Sequence, residues 1–436
     1  MILSRRAVIL LLCAAPLLAA VEWAAGLRWV VGLYLLLLIA LFLADWRLAG
    51  PIERFDLRRE HDNRLSLGAE NLIRLSLRHH GRQPLTFWLR DEPPDQFRIQ
   101  QRILQGTALP RVTWQDGYHV RPLRRGDYQF GNLNLRWVGP LGLVIRQGQL
   151  AAAGPVKVYP NLLDVRRYDL FLRRNRLQEL GLRHSRQFGE GTEFERLREY
   201  LPDDEYRRIN WKATARRHRP VTVEYQTERS QNIITVLDIG RMMQSPVADM
   251  AKLDYVVNAA LLLAYVATGK GDKVGLTSFA DQVTHFLAPK QGRGQFYRML
   301  ELLYAVEAQP VEPDYARALS YLGLKQRKRA LVVLFTDLSG GLSMEQLVQH
   351  AALLAQRHLL LVVTISDPDI VAAAGQRPLD SAAVYQRAAA TELLQERQVV
   401  LSTLQRRGVH TLDVPANQLS MAVINRYLEL KGRQLL

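Results

Sequence analysis

Ile233-Ile234-Thr235-Val236-Leu237-Asp238 has no polar face until its last residue. Successive side chains of a strand point to opposite sides, so a strand with apolar groups on both sides is covered on both, as in a parallel sheet packed between helices. The chain that follows keeps to this plan. Helical periodicity from Met250 to Thr268 leads to a strand over Lys273 to Phe279, a helix over Gln295 to Val306 and a strand over Ala330 to Phe335. A helix over Met344 to Arg357, a strand over Leu359 to Ile365, a helix over Ala382 to Arg407 and a strand over Val409 to Val414 complete the series. The alternation predicts a doubly wound α/β domain over residues 232–436.

Upstream the rhythm changes. Asn71-Leu72-Ile73-Arg74-Leu75-Ser76-Leu77-Arg78 and Tyr128-Gln129-Phe130-Gly131-Asn132-Leu133-Asn134-Leu135-Arg136 place apolar groups on nearly every second residue, between turn signals such as Asp116-Gly117 and Gly139-Pro140. Short alternating strands at this spacing predict an antiparallel β-sandwich over residues 49–160. His79-His80, beside a turn, reads as solvated surface. Residues 161–231 read as a basic connector, helical or irregular over 161–220. Lys290-Gln291-Gly292-Arg293-Gly294 lacks the spacing of a nucleotide-binding loop and reads as a loop before a helix.

The first 48 residues hold two apolar runs, Ala7 to Val21 and Trp29 to Ala44, joined only by Glu22 to Arg28. Each approaches the roughly 20 residues that cross a bilayer, which predicts a transmembrane helical hairpin over residues 1–48. A cleavable signal peptide is the competing reading of the first run, and the second run so close behind it favours a retained hairpin. Arg5 and Arg6 precede the pair and Arg47, Arg54, Arg58 and Arg59 follow it, so both termini and the main domains are expected on the cytoplasmic side. The whole is then a multidomain α+β membrane protein.

Composition removes several function classes. The 436 residues include a single cysteine, Cys13, so there is no intrachain disulfide and no cysteine metal cluster. The formal charge is +16. Residues 46–163 hold 18 basic against 10 acidic side chains and residues 232–436 hold 21 against 18. The excess thus lies near the membrane, where anionic headgroups account for it, and the aromatic platforms of a nucleic-acid binder are missing. A lipid bilayer is an expected partner and nucleic acid is not.

Ligands of open α/β sheets collect at the carboxyl ends of the strands. Asp238 and Asp337 both end strands, which suggests a divalent-ion pair, although an Asp there also serves as a helix cap or loop fastener. Asp203-Asp204-Glu205 is acidic enough to invite an acid–base reading, but no spacing fixes its geometry.

Phe194-Glu195-Arg196-Leu197-Arg198-Glu199-Tyr200-Leu201-Pro202-Asp203-Asp204-Glu205-Tyr206-Arg207-Arg208-Ile209-Asn210-Trp211-Lys212-Ala213-Thr214-Ala215-Arg216, with Val223-Glu224-Tyr225-Gln226-Thr227-Glu228 beyond it, resembles the signature of the bacterial membrane proteins grouped as domain of unknown function 58. Val236-Leu237-Asp238-Ile239-Gly240-Arg241-Met242 and Val274-Gly275-Leu276-Thr277-Ser278-Phe279-Ala280 resemble the first two strands of the von Willebrand factor A-like half of those proteins. Such domains often hold Mg²⁺ through an Asp-x-Ser-x-Ser loop, a Thr and a second Asp. Here Asp238 and Asp337 match the acids, Gly240 and Met242 stand where hydroxyls belong, and Pro313, between Glu312 and Asp314, replaces the Thr. No cofactor is therefore expected, and Mg²⁺ finds a degenerate site at Asp238, Gly240, Met242, Asp314 and Asp337.

Within the signature, Arg198, Tyr200, Asp203, Asp204, Arg207, Asn210, Trp211 and Arg216 are expected to make fastening or partner contacts, with Trp211 as a buried anchor. The resemblance implies a non-enzymatic adaptor in the bacterial inner membrane that works with a MoxR-type AAA+ ATPase in protein assembly, maturation or envelope processes. Two other readings stay open. One is a metal-dependent hydrolase using Asp203–Glu205 or Asp238 and Asp337; the other is a cationic scaffold on lipid or nucleic acid.

Overall fold

The structure is a computed structural model that describes residues 2–20, 27–161, 193–201, 206, 209–217, 219–226, 230–338 and 343–433. The chain divides into two compact units, Met1–Leu162 and Leu163–Leu436.

In the first unit a two-residue strand β1 (Ile2–Leu3) leads into helices α1 (Arg5–Ala20) and α2 (Leu27–Ala49). At about 1.5 Å per residue, α2 reaches about 35 Å, enough for a hydrocarbon core of about 30 Å. It is the one described helix long and apolar enough to cross a membrane, with mean hydropathy 2.2 over Arg28–Ala49. Leu33, Leu36, Leu37, Ile39 and Leu43 are exposed along it. The helices meet where the Tyr34 hydroxyl donates to the Leu10 carbonyl at 2.7 Å.

Eleven further strands follow: β2 (Phe55–Glu60), β3 (Arg64–Ser66), β4 (Asn71–His79), β5 (Leu85–Asp91), β6 (Phe97–Ile99), β7 (Ile103–Ala108), β8 (Thr113–Pro122), β9 (Gly126–Phe130), β10 (Leu133–Val138), β11 (Val144–Leu150) and β12 (Gly154–Tyr159). They form sheets ordered β1-β11-β10-β5-β7, β2-β4-β8-β6 and β3-β12-β9. Every pairing is antiparallel except β3 with β12. Alternation decides which side is buried. In β4, Ile73, Leu75 and Leu77 are buried while Arg74 and Arg78 point out. Arg59 pairs with Asp91 inside this unit, and Asp91 also accepts the Tyr118 hydroxyl at 2.7 Å.

Helix α2 is fastened to the sheets by one carboxylate. Asp45 is fully buried and accepts the backbone N–H groups of Leu141, Leu143 and Val144, each at 2.8 Å. Gly139 allows the approach: a Cβ there would lie 2.3 Å from Asp45 Oδ1. Gly142, at φ +74°, turns the loop through a conformation that suits glycine. The Trp137 indole N–H adds a bond to the Ala49 carbonyl at 2.9 Å.

His79 departs from the expected surface position. It is buried and stacked on Phe55 with ring centroids 4.9 Å apart. Burial, with help from nearby Arg54 and His80, lowers its pKa and keeps it neutral.

In the second unit, β13 (Glu193–Glu199) and β14 (Val221–Gln226) pair antiparallel around a short helix α3 (Trp211–Arg217). Residues 193–199 are therefore strand rather than the helical or irregular connector expected, in a ladder that pairs Glu193 with Gln226 and Glu199 with Val221 and shifts register between Phe194 and Arg196.

Then come β15 (Asn232–Asp238), a small ribbon of β16 (Pro246–Val247) and β17 (Met250–Ala251), α4 (Lys252–Gly269), β18 (Lys273–Phe279), β19 (Val283–Lys290), α5 (Arg293–Ala305), α6 (Tyr315–Lys325), β20 (Leu331–Phe335), α7 (Ser343–Ala355), β21 (Leu359–Ser366), α8 (Pro368–Gly375), α9 (Ser381–Arg406), β22 (His410–Pro415) and α10 (Leu419–Gly432). One six-stranded sheet runs β19-β18-β15-β20-β21-β22. All its pairings are parallel except β18 with β19. Ile234, Val236, Val332, Leu334, Leu360 and Val362 share a core with Leu319 and Leu322 of α6, Leu347 and Ala351 of α7 and Leu404 of α9. Strand β19 stands where the sequence reading placed none. It is a half-exposed edge strand interrupted by Pro289, so its alternation is weak.

Candidate functional site

Numbered along the chain within this sheet, the strand order reads 3-2-1-4-5-6, and its switch point lies between β15 and β20. A crevice for ligands opens at the carboxyl ends on either side of such a point. Asp238 ends β15, and Thr336-Asp337 follow β20 directly, so the topology brings both strand-end acids to this edge.

Asp238 is buried, at 2% exposure, and its acceptor positions are engaged. Oδ1 accepts the Gly240 N–H at 2.8 Å. Oδ2 lies 3.0 Å from the Tyr315 hydroxyl and 2.6 Å from the Thr336 hydroxyl, which are themselves 2.7 Å apart. The three contacts close a triangle. Two hydroxyls bring two protons to it, so a proton on the carboxyl completes the set. Burial points the same way: it pushes the Asp238 pKa up to about 6, against the lowering effect of its hydrogen bonds from Thr336, Gly240 and Tyr315. Burial and Asp238 hold the Tyr315 hydroxyl protonated, its pKa well above 10.

Asp337 meets two cations. Lys252 Nζ, in the first turn of α4, lies 2.5 Å from its Oδ2, and Arg397 Nη1 of α9 lies 3.6 Å from its Oδ1. Arg397 goes on to bind Asp413 Oδ1 at 2.7 Å, the Thr364 hydroxyl at 2.7 Å and the Ile365 carbonyl at 2.7 Å. The Lys252, Asp337 and Arg397 side chains are each less than a tenth exposed. A buried charge is tolerated when it is paired with an opposite one, and in this alternating row of two cations and two anions each charge has such a neighbour.

The remaining expected site residues fall elsewhere. Gly240 sits close under the loop before α6: a Cβ would lie 2.9 Å from Pro313 Cδ and 3.0 Å from the Val311 carbonyl, leaving no room for a serine. Met242 lies in a short helical turn, Arg241–Gln244. Asp314 caps α6 through the Arg317 N–H at 2.9 Å and does not join Asp238. The two hydroxyls expected to be missing are supplied by Tyr315 and Thr336, from positions the sequence reading did not select. Among the described residues, no group of three or more His, Cys, Asp or Glu side chains is placed to hold a metal.

Of the signature residues, Asp203, Asp204 and Arg207 lie outside the described residues. Asn210 caps α3, its Oδ1 accepting the Ala213 N–H at 3.0 Å, and its own N–H donates to the Val221 carbonyl at 2.8 Å. The Tyr200 N–H donates to the Pro220 carbonyl at 3.0 Å, and Arg198 donates to the Glu199 carbonyl at 3.1 Å. Arg216 is exposed. Trp211 is not the buried anchor expected. It is 58% exposed, with its ring edge-to-face against Tyr206 at 5.6 Å, because it opens a seven-residue helix none of whose residues is buried.

Residues 196–373, from within β13 to within α8, match the family described as Protein of unknown function DUF58. An uncharacterized protein of Mycobacterium tuberculosis strain H37Rv is 26% identical over 182 residues, which is 41% of this chain and 56% of the relative. The chain thus spans little more than half the length of that relative. The uncharacterized protein YeaD of Bacillus subtilis is 24% identical over 297 residues, 66% of this chain and 71% of the relative. Among solved structures, the conserved hypothetical protein BatB from Bacteroides thetaiotaomicron aligns with 47% of this chain and 100% of its own at 14% identity and a TM-score of 0.33.

Proposed function

We propose that this chain is a non-enzymatic adaptor of the bacterial inner membrane, held by its N-terminal helix pair. Its α/β half, of von Willebrand factor A-like form, docks a MoxR-type AAA+ ATPase from the cytoplasmic side. The observation that carries the binding reading is how the sheet edge spends its polar groups. The Asp238 and Asp337 carboxyl groups are taken up by Tyr315, Thr336, Gly240, Lys252 and Arg397. What the edge offers outward is a rim of exposed charges, Arg241 with Glu312 at 2.6 Å and Arg317 with Asp314 at 3.7 Å. Charged rims set the choice and register of partners, whereas catalysis needs reactive groups held toward a substrate.

Retention of both helices is supported by how they join the fold. Ile2 and Leu3 pair with Ile145 and Val144 of β11, and the Ser4 hydroxyl donates to the Gly142 carbonyl at 2.6 Å. The Asp45 clamp lies on the same 139–144 loop. A leader destined for removal has no use for such ties to the domain it leaves. The apolar face exposed by α2 suits lipid, and Arg5, Arg6 and Arg47 suit the anionic headgroups beside it.

The test is to purify the detergent-solubilised full chain from its own cells and quantify what accompanies it. Enrichment of an AAA+ ATPase over a control bait is the expected result. Its absence removes the adaptor reading.

A further inference from the structure

A doubly wound sheet of the kind proposed above, with two acids at the switch point, implies a divalent cation between them. The oxygen supply for such an ion is better than the sequence suggested, since Thr336 and Tyr315 add hydroxyls beside Asp238. The oxygens are nevertheless committed. Asp238 Oδ1 takes the Gly240 N–H, and Oδ2 belongs to the hydroxyl triangle. Asp337 Oδ2 is in contact with an ammonium nitrogen, and Asp337 Oδ1 faces a guanidinium. Mg²⁺ demands near-octahedral oxygen ligands at about 2.0–2.1 Å. Reaching Asp337 would place a second cation against Lys252 in a buried setting, where like charges repel strongly. The residues present do not fit the ion.

We propose instead that the Lys252 ammonium is a built-in cation, standing at Asp337 where a divalent ion would otherwise bridge the two acids, so that this sheet edge is complete without metal. Lys252 is suited to that task by its place. It opens α4, its four-carbon stem is buried with the rest of the residue, and its nitrogen reaches across to the loop after β20, 85 positions along the chain. Arg397 backs the same carboxylate from the other side and is itself tied to Thr364, Ile365 and Asp413 on β21 and β22. Asp238 at the end of β15 and Thr336-Asp337 after β20 are thereby held in one arrangement at all divalent-ion concentrations. A partner docking on the rim meets a preformed surface rather than one assembled by an ion. The inference concerns the state of the edge itself and holds whether or not an ATPase is the partner.

Mn²⁺ binding to the purified full chain in detergent tests this, read by electron paramagnetic resonance of the free ion and by thermal melting in chelator against Mn²⁺. The wild-type chain is expected to leave the free-ion signal undiminished and to melt at the same temperature in both conditions. Lys252→Ala removes charge and opens space. That variant is expected to melt lower in chelator, to recover part of the loss in Mn²⁺ and to reduce the free-ion signal, an effect cancelled by adding Asp337→Asn. Lys252→Met removes the charge but fills the space, and is expected to melt lower without recovery. Stoichiometric Mn²⁺ binding by the wild type, lost on Asp337→Asn, overturns the proposal, and this measurement does not depend on any lysine variant folding. So does a Lys252→Ala chain that responds to Mn²⁺ no more than Lys252→Met.

Discussion

Asp238 shows what a strand-end acid does when the fold buries it among hydroxyls. Its pKa is raised from 3.8 to about 6, so the folded chain holds this proton more tightly than the unfolded chain. The resulting stabilisation is fully present below about pH 4 and is lost as the pH rises through about 6. Asp238→Asn cannot titrate. Denaturant unfolding of both proteins between about pH 4 and pH 7 should therefore show the wild type losing roughly 3 kcal/mol relative to the variant, at about 1.4 kcal/mol per pKa unit. A constant difference would contradict the buried triangle. The two acids were legible because strand ends carry ligands in open sheets. Lys252 and Arg397 were not, since nothing local marks which distant cation a buried carboxylate will meet. Tryptophan gives a second contrast at this scale. Trp137 is buried and Trp211 exposed, so equilibrium unfolding should show Trp137→Ala costing about 3–5 kcal/mol and Trp211→Ala changing stability by no more than about 0.5 kcal/mol.

Elements with a strong period were readable and those at edges were not. The core strands β15, β18, β20 and β21 follow the apolar runs closely because burial on both faces leaves no polar interruptions. Helix α6 carries Tyr315, Ala318, Leu319 and Leu322 at helical spacing behind the Asp314 cap, but the likeness of 312–314 to a metal-site loop hides its start in the sequence. The 139–144 loop carried glycines whose purpose no local pattern reveals: they wrap three N–H groups around Asp45. Asp45→Ala strands the buried Leu143 and Val144 donors and the part-buried Leu141 donor, and the cost should be at least about 2 kcal/mol at about 1–3 kcal/mol for each buried one. Hydrogen exchange read by mass spectrometry should place the change at residues 139–144. Unaltered protection there would mean that the carboxylate does not hold the loop.

For the whole molecule, the division into a helix-bearing β unit and an α/β unit follows from two patterns that one sequence displays in turn, alternation of period 2.0 over 49–160 and, after 232, uniformly apolar strands separated by helices of period 3.6. Residues 203–205, the acidic part of the signature, lie outside the described residues. If β1 and the Asp45 clamp make the helices part of the fold, the chain extracted from membranes should keep the full 49.8 kDa by intact mass spectrometry. A species shortened at its N-terminus would mean that the first helix is a removable leader. The adaptor itself is tested most directly by quantifying AAA+ ATPase retained on the detergent-solubilised chain, with the wild type beside a rim variant carrying Arg241→Glu and Arg317→Glu. The account predicts an ATPase enriched on the wild type and lost from the variant, with the same yield in chelator as in Mg²⁺. An ATPase absent from the wild type, or held equally by both chains, would contradict it.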